Sequence, residues 1–451
     1  MAERDQYWTV VGHTMTQFLS LVEGYGDSPS SLEFPISASE LFLMNSLGDT
    51  DDLIVAMNYT RNKRLHASSS WSSSSPPSSR GDLPPPFEFC YEPWCVSLME
   101  SRSHCSSLVK PISGDLYVTH NMWTWYWQML SVWKQYDFQL RAPGIVSSRV
   151  AFSSWPGMLS SEDDFYVTGQ GFLIAETTNN VYNLTLYDLL SPHSLVAWVR
   201  ATTSNYMARN AFEWHEIFKT HNSGTYNNQW VVTDTNKRYN GSRATDANSF
   251  QRATEQLWVL PPGTVVVGSQ LPNFYMYEDV TPFINQHGYW ASYNVPYFKA
   301  AWVRSGYQLM ERMYGDLFSW ENTPRAKIFR QRQGNITDLE SLKRFMRYND
   351  WQHDPLALNC PMNQIAARAD LSPANGSDPL CLLAPFGAVN AKISSSSRLK
   401  TFTAEYIVGP THDTQPTFSW SPEFVAKYPI PHYGQAKTYN FDWHTMRHPM
   451  M

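Results

Sequence analysis

At 451 residues the chain exceeds an average single domain, and 42% hydrophobic residues against only 16% charged ones is ample for a core. A formal net charge of −6 argues against the positive surface that non-specific nucleic-acid binding needs. No run of about 18 apolar residues exists to span a membrane.

From the amino terminus, Met1 to Trp8 carries no apolar stretch of the signal-peptide kind. Val10, Val11, Met15, Phe18, Leu19 and Val22 recur at helical spacing and predict a helix over 7–25. An apolar block from Leu41 to Met44 follows, with Gly48-Asp49 read as a closing turn. Residues 66–86 hold 9 Ser and 5 Pro and no periodicity. Such a composition buries too little surface to offset its ordering entropy, so it is either a plain surface loop or an accessible processing linker.

Beyond it the pattern changes to strands with intervening helices. Leu116-Tyr117-Val118, Phe165-Tyr166-Val167, Phe172-Leu173-Ile174, Gln229-Trp230-Val231-Val232 and Thr264-Val265-Val266-Val267 read as strands. Trp123 to Tyr136, Asn205 to His221 and Leu339 to Tyr348 read as helices. Strand runs mixed with helices indicate an α+β fold. No internal repeat is present.

Five cysteines leave one thiol unpaired in an oxidising compartment. The simplest pairing joins Cys90 to Cys95 and Cys360 to Cys381, leaving Cys105 free. Asn58, Asn183, Asn240, Asn335 and Asn375 open glycosylation-type sequons, which together with the cysteines favour a secretory or lysosomal product bearing N-glycans. Eighteen Trp and 25 Tyr suit both a deep-clefted enzyme and a carbohydrate-binding module.

Cys105 stands where an accessible linker gives way to a strand, in Ser103-His104-Cys105-Ser106-Ser107-Leu108. A self-processing N-terminal-nucleophile hydrolase needs that arrangement. It cuts its own chain before the nucleophile, and the freed α-amino group, with a pKa of about 7.7–8, serves as the base. A thiol is the least reluctant protein nucleophile, although a lone Cys is commonly a packing residue.

The words Cys105-Ser106-Ser107-Leu108-Val109-Lys110, His120-Asn121-Met122-Trp123, Glu176-Thr177-Thr178, Tyr293-Asn294-Val295-Pro296 and Pro324-Arg325-Ala326-Lys327, with the runs at 152–157, 163–166, 222–230 and 346–350, occur in one order. Together they resemble the phospholipase B-like, or lamina-ancestor, family. Residues 41–49 resemble the end of that family's first fragment. The resemblance implies the four-layer αββα sandwich of N-terminal-nucleophile hydrolases, lysosomal or secreted, with a homodimer among its assemblies. It divides the chain into a first fragment, 1–65, a Ser/Pro-rich linker, 66–104, and a catalytic part, 105–451. Because the family carries a signal sequence ahead of the matching part, the chain is expected to be N-terminally incomplete.

The resemblance also implies roles. Cys105 is the nucleophile. Asn294 matches an active-site Asn whose amide could stabilise an oxyanion, worth about 3–4 kcal/mol in comparable sites; alone it would read as a turn-former. Arg325 matches an active-site Arg able to orient the nucleophile or hold a substrate carboxylate or phosphate; alone it would read as a structural ion pair. Thr177 matches a pocket Thr, with Thr178 beside it an equal choice. His120 could tune the thiol, position substrate or be a satisfied core residue, and Trp123 is a pocket wall or core.

No HExxH or paired CxxC spacing marks a metal site, no Gly-rich loop cradles a phosphate, and no GxSxG elbow supports a serine lipase. No cofactor is expected. The leading expectation is an autoprocessed acyl hydrolase acting on an ester or amide of a lipid or acylated small molecule. An N-acyl amidase of the same mechanism and a non-catalytic glycoprotein binding module are the alternatives.

Overall fold

The computed structural model describes residues 2–68, 88–92, 95–96, 99, 104–237, 259–374 and 380–447. Most of the Ser/Pro-rich stretch, and Ser101 to Ser103, therefore lie outside the described residues. Strands in chain order are β1 (His104–Ile112), β2 (Asp115–Trp125), β3 (Val132–Asp137), β4 (Arg149–Ser154), β5 (Tyr166–Thr168), β6 (Phe172–Thr178) and β7 (Asn228–Asp234). They continue as β8 (Val265–Leu271), β9 (Phe274–Asp279), β10 (Trp290–Ser292), β11 (Phe386–Ser395), β12 (Ala404–Val408), β13 (Phe418–Ser419), β14 (Thr438–Tyr439) and β15 (His444–Met446).

Two large sheets form, with strand orders β10-β1-β2-β11-β12-β15 and β3-β4-β5-β6-β7-β8-β9, and every pairing is antiparallel. The fold is α+β, as the pattern predicts. The β1–β2 hairpin turns on Ser113-Gly114, both with positive φ (49° and 85°). That two-residue geometry matches the right-handed twist of the flanking strands, and it locks the register from Ile112↔Asp115 back to His104↔Trp123. Position 105 is thereby fixed opposite Met122.

Alternation along each strand decides what packs where. Val109 and Val118 of one sheet bury against Leu173 and Val231 of the other. On the opposite face of the seven-stranded sheet, Phe172 and Trp230 meet Trp214 and Phe218. These come from the helix pair Ala197–Met207 and Ala211–Phe218. The opposite face of the six-stranded sheet sets Leu108 and Ile393 against Ile328, Phe345 and Met346, from helices Pro324–Arg332 and Leu339–Met346.

Three expectations are corrected. Trp123 to Tyr136 is not a helix: β2 runs to Trp125, a short 3-10 turn covers Tyr126–Gln128, and β3 begins at Val132. β2 is hydrogen-bonded on both edges, by β1 and β11, and that pairing overrides the helical spacing of an aromatic cluster. The helix expected over 205–221 is two helices, broken where Asn210 caps the second by accepting the Glu213 N–H at 2.9 Å. Gly48-Asp49 is no turn, because helix Leu47–Ser68 runs through it. The glycine serves close approach, since a Cβ there would meet the Tyr226 ring at 2.5 Å.

Asp49 and Asp52, both buried, tie this N-terminal helix to the rest of the chain. Asp49 accepts the Ala197 N–H at 2.9 Å and the Thr225 hydroxyl at 2.5 Å. Asp52 accepts from the Tyr187 hydroxyl at 2.6 Å and the Asn227 amide at 3.0 Å. Asp49→Ala is expected to lower stability by about 1–3 kcal/mol, because it strands buried donors. An unchanged urea midpoint would show that the donors find other partners.

The disulfides are Cys90–Cys95 and Cys360–Cys381, with Cα separations of 5.5 and 5.8 Å, and Cys105 is a buried free thiol, as the cysteine count predicts. No helix among the described residues is long and apolar enough to cross a membrane. Asn58 and Asn335 are exposed and Asn183 is half-buried. Asn240 and Asn375 lie outside the described residues.

Candidate active site

Cys105, 1% exposed, is the second residue of β1. Its main chain and its side chain face different partners. The Cys105 N–H donates to Asn294 Oδ1 at 3.0 Å, and its carbonyl accepts from Arg325 Nη1 at 2.6 Å. The same Nη1 donates to Asn294 Oδ1 at 2.8 Å, so guanidinium, amide and backbone close a small ring. Asn294 sits at φ 64°, a left-handed conformation worth about 1–3 kcal/mol of strain for a non-glycine residue. Anchors at both ends of the residue hold it there: its Nδ2 donates to the Thr178 carbonyl at 2.6 Å, and its own carbonyl accepts from the Tyr307 hydroxyl at 2.6 Å.

Arg325 enters from the first turn of helix Pro324–Arg332, whose N-cap Thr323 accepts the Ala326 N–H and whose first residue is Pro. Its guanidinium stacks over the Trp123 ring, 4.2 Å from the centroid. Trp123 is itself fixed by its indole N–H, which donates to Asn121 Oδ1 at 3.1 Å and to the Ile365 carbonyl at 3.2 Å. A cleft opens among His104, Trp123, Tyr293, Asn294, Phe318 and Arg325. His104 forms part of its wall and Cys105 does not.

The thiol points the other way, 3.7 Å from Glu176 Oε1 on β6 of the facing sheet. His120 on β2 completes a cluster in which one donor atom each of Cys105, His120 and Glu176 lies within 4.8 Å of the others. Among the described residues, neither His120 ring nitrogen, nor Glu176 Oε2, meets a hydrogen-bond partner of good geometry. Burial, then the Glu176 charge, pushes the Cys105 thiol well up. Burial, then Asp164, lifts the Glu176 carboxyl well above the carboxylate range. Burial, then the Lys392 charge, drives the His120 imidazole well below its usual value. All three shifts disfavour the charged form of the group.

Beside it lies a fully buried ion pair, Lys392 Nζ to Asp163 Oδ2 at 2.5 Å. The Ser153 and Ser161 hydroxyls donate to Asp163 at 2.6 and 2.7 Å, and Lys392 also reaches Asn390 Oδ1 at 2.8 Å. Burial alone would raise the Asp163 carboxyl, but the Lys392 charge and hydrogen bond, with His120 and the Ser153 hydroxyl, together outweigh it and hold it at about 2.

The structure thus gathers Cys105, Asn294, Arg325, Trp123 and His120. It separates the two threonines. The Thr177 hydroxyl pairs with Ser292 at 2.5 Å, while Thr178 offers its carbonyl to Asn294. Asn294 turns its acceptor toward the Cys105 nitrogen, and its Nδ2 donates to the Thr178 carbonyl. Glu176, Asp163 and Lys392 escaped the sequence reading. The available signal was charge inside strands: Glu176 follows Phe172-Leu173-Ile174-Ala175, and Lys392 lies within Phe386–Ser395, every residue of which is buried.

Two antiparallel sheets enclosing a thiol whose backbone is clamped by an amide and a guanidinium describe an α+β protein with an enzyme-like centre. Comparison with known proteins makes the class definite. The phospholipase B family profile matches residues 1–446. The chain is 35% identical over 448 residues to "Phospholipase-B 81" of Drysdalia coronoides, covering 98% of this chain and 72% of that one. It is 33% identical over 447 residues to "Phospholipase B-like 1" of Rattus norvegicus, covering 98% and 71%. With "Phospholipase B-like 1" of Homo sapiens it shares 33% over 449 residues, covering 98% and 70%. The chain belongs to the phospholipase B family.

Proposed function

We propose that this chain is an acyl hydrolase that cuts itself between His104 and Cys105 and then uses Cys105 as an N-terminal nucleophile on ester bonds of phospholipid-like substrates. The observation that carries this reading is the separate handling of the two ends of Cys105. Its nitrogen is held by Asn294 at 3.0 Å, while its sulfur is turned away to Glu176. A nitrogen already placed in a hydrogen bond becomes, once the His104–Cys105 bond is cut, an oriented α-amino group with pKa near working pH. That amine takes the thiol proton as sulfur adds to the substrate carbonyl. The alcohol leaves with the proton, and water resolves the thioester. Arg325, already against the cleft, is suited to a substrate phosphate.

On this reading the layered packing of helices and two sheets is the four-layer αββα arrangement of N-terminal-nucleophile hydrolases. Residues 1–65 remain as a docked first fragment, 66–104 is the processing linker, and 105–451 the catalytic part. The phospholipid class comes from the names of the relatives. Two disulfides fit an oxidising, secretory or lysosomal setting, and exposed Asn58 and Asn335 are the glycan acceptors to test first.

Intact-mass measurement after incubation at acidic pH tests the reading. Fragments meeting at His104/Cys105 are expected, together with release of fatty acid from phosphatidylcholine vesicles. A chain that stays whole would remove the nucleophile mechanism. A cut chain that hydrolyses N-acyl amines and spares the ester would move the enzyme to the amidases.

A further inference from the structure

The self-processing reading leaves one proton without a destination. Before the cut, the Cys105 nitrogen is an amide that donates to Asn294, so it cannot act as a base. The thiol must nonetheless lose its proton for sulfur to attack the His104 carbonyl. Among the described residues, Glu176 at 3.7 Å and His120 in the same cluster are the candidate bases beside the sulfur. We propose that Glu176, reaching from the facing sheet, is the proton acceptor of the self-cleavage step, and that the freed α-amino group replaces it in later turnovers. This proposal rests on the self-processing reading above.

The choice between the two candidates follows from their surroundings. Burial and the neighbouring Lys392 charge make His120 a weak base. Burial and the nearby Asp164 and Asp163 carboxyls make ionised Glu176 an unusually strong one, against which Lys392 pulls in the opposite direction. A thiol that is itself raised by burial needs a base whose own proton affinity is raised, and Glu176 is shifted in that direction. A reaction that occurs once per chain tolerates a small ionised fraction.

The step balances. The thiol proton passes to the Glu176 carboxylate, and the new thiolate adds to the His104 carbonyl carbon. As the tetrahedral adduct collapses, the C–N bond breaks, and Glu176 returns the proton to the departing Cys105 nitrogen. The product is a thioester between the His104 carbonyl and Sγ, with a free amine at Cys105. Water then cleaves the thioester, giving a His104 carboxylic acid and the thiol. Among the described residues Glu176 Oε2 meets no hydrogen-bond partner of good geometry, so no bond there competes with taking up the proton.

The experiment compares full-length wild type, Glu176→Gln, Glu176→Asp and Cys105→Ala by intact mass over time, with and without hydroxylamine, beside a thermal melt. Glu176→Gln keeps the shape but cannot take the proton, so cleavage is expected to slow by about 10²-fold or more. Hydroxylamine should not release fragments from it, because no thioester has formed. Glu176→Asp, with its carboxylate drawn back, should cut at an intermediate rate, and both variants should melt close to Cys105→Ala. Hydroxylamine release of fragments from Glu176→Gln as fast as from wild type would overturn the assignment, since the acyl shift would then proceed without Glu176. Cutting of Glu176→Gln at the wild-type rate would overturn it alone. A wild type that stays whole would instead overturn the self-processing reading, and this proposal with it.

Discussion

Cys105→Ser is expected to leave the chain uncut and to abolish ester hydrolysis, while the protein still folds. Self-cleavage and turnover both require the side chain at 105 to attack a carbonyl, and a hydroxyl ionises far less readily than a thiol. The surroundings sharpen the difference. The group lies in a buried site facing Glu176, a carboxyl in place of the hydrogen-bonded imidazole that serine enzymes use. The neutral His120 is not aligned on it by any hydrogen bond of good geometry. Loss of a nucleophile in a comparable hydrolase reduces kcat by about 10⁶-fold, so a loss of at least about 10³-fold is a modest expectation for this chain. The substitution is nearly isosteric, and its hydroxyl can donate to Glu176, so the melting temperature should stay within a few degrees of wild type. Retention of processing and of full activity in Cys105→Ser would remove Cys105 from the mechanism. Loss of activity in a chain still cut at 104/105 would confine its role to turnover.

What could be read from the sequence followed the range of the interactions. The strand at Leu116-Tyr117-Val118 was legible because its apolar run is a local signal, and the disulfides because five cysteines admit a simple pairing. The meeting of Cys105 with Asn294, across 189 residues, was legible only through the family words around each. Their orientation was not. Nothing local says that the Asn294 acceptor faces the Cys105 nitrogen while its donor is committed to the Thr178 carbonyl. Glu176 stands within a family word, yet a strand cannot reveal what the facing sheet brings against it. Trp123 to Tyr136 misled for a related reason. Clustered aromatics satisfy helical and strand spacing alike, and hydrogen bonding to β11, more than 260 residues away, decides between them.

Lys392→Met is expected to destabilise the fold more than either Asp49→Ala or Cys105→Ser, by about 3–5 kcal/mol, because it leaves the Asp163 carboxylate buried and unpaired. The pair spans 229 residues and joins β11 to the loop before β5, so its loss falls on the contact between the two sheets next to Cys105. The effect has a definite pH signature. In the wild type the Asp163 carboxyl is depressed to about 2 in the folded state. It therefore contributes stability that is present above the ordinary carboxyl value of about 3.9 and is lost as pH falls toward about 2. In Lys392→Met the depression disappears, and burial raises the same carboxyl instead. Protonation then relieves the variant at a pH where the wild type still holds its ion pair. The gap between the two urea midpoints should be widest near pH 7 and should narrow on acidification to pH 4. A gap that stays constant would show that lost side-chain packing, and not the unpaired charge, carries the effect. The double variant Lys392→Met with Asp163→Leu supplies the complementary arm. By removing the orphaned carboxylate as well, it should recover part of the lost stability at pH 7, since an apolar pair can replace a buried ion pair that one missing partner ruins.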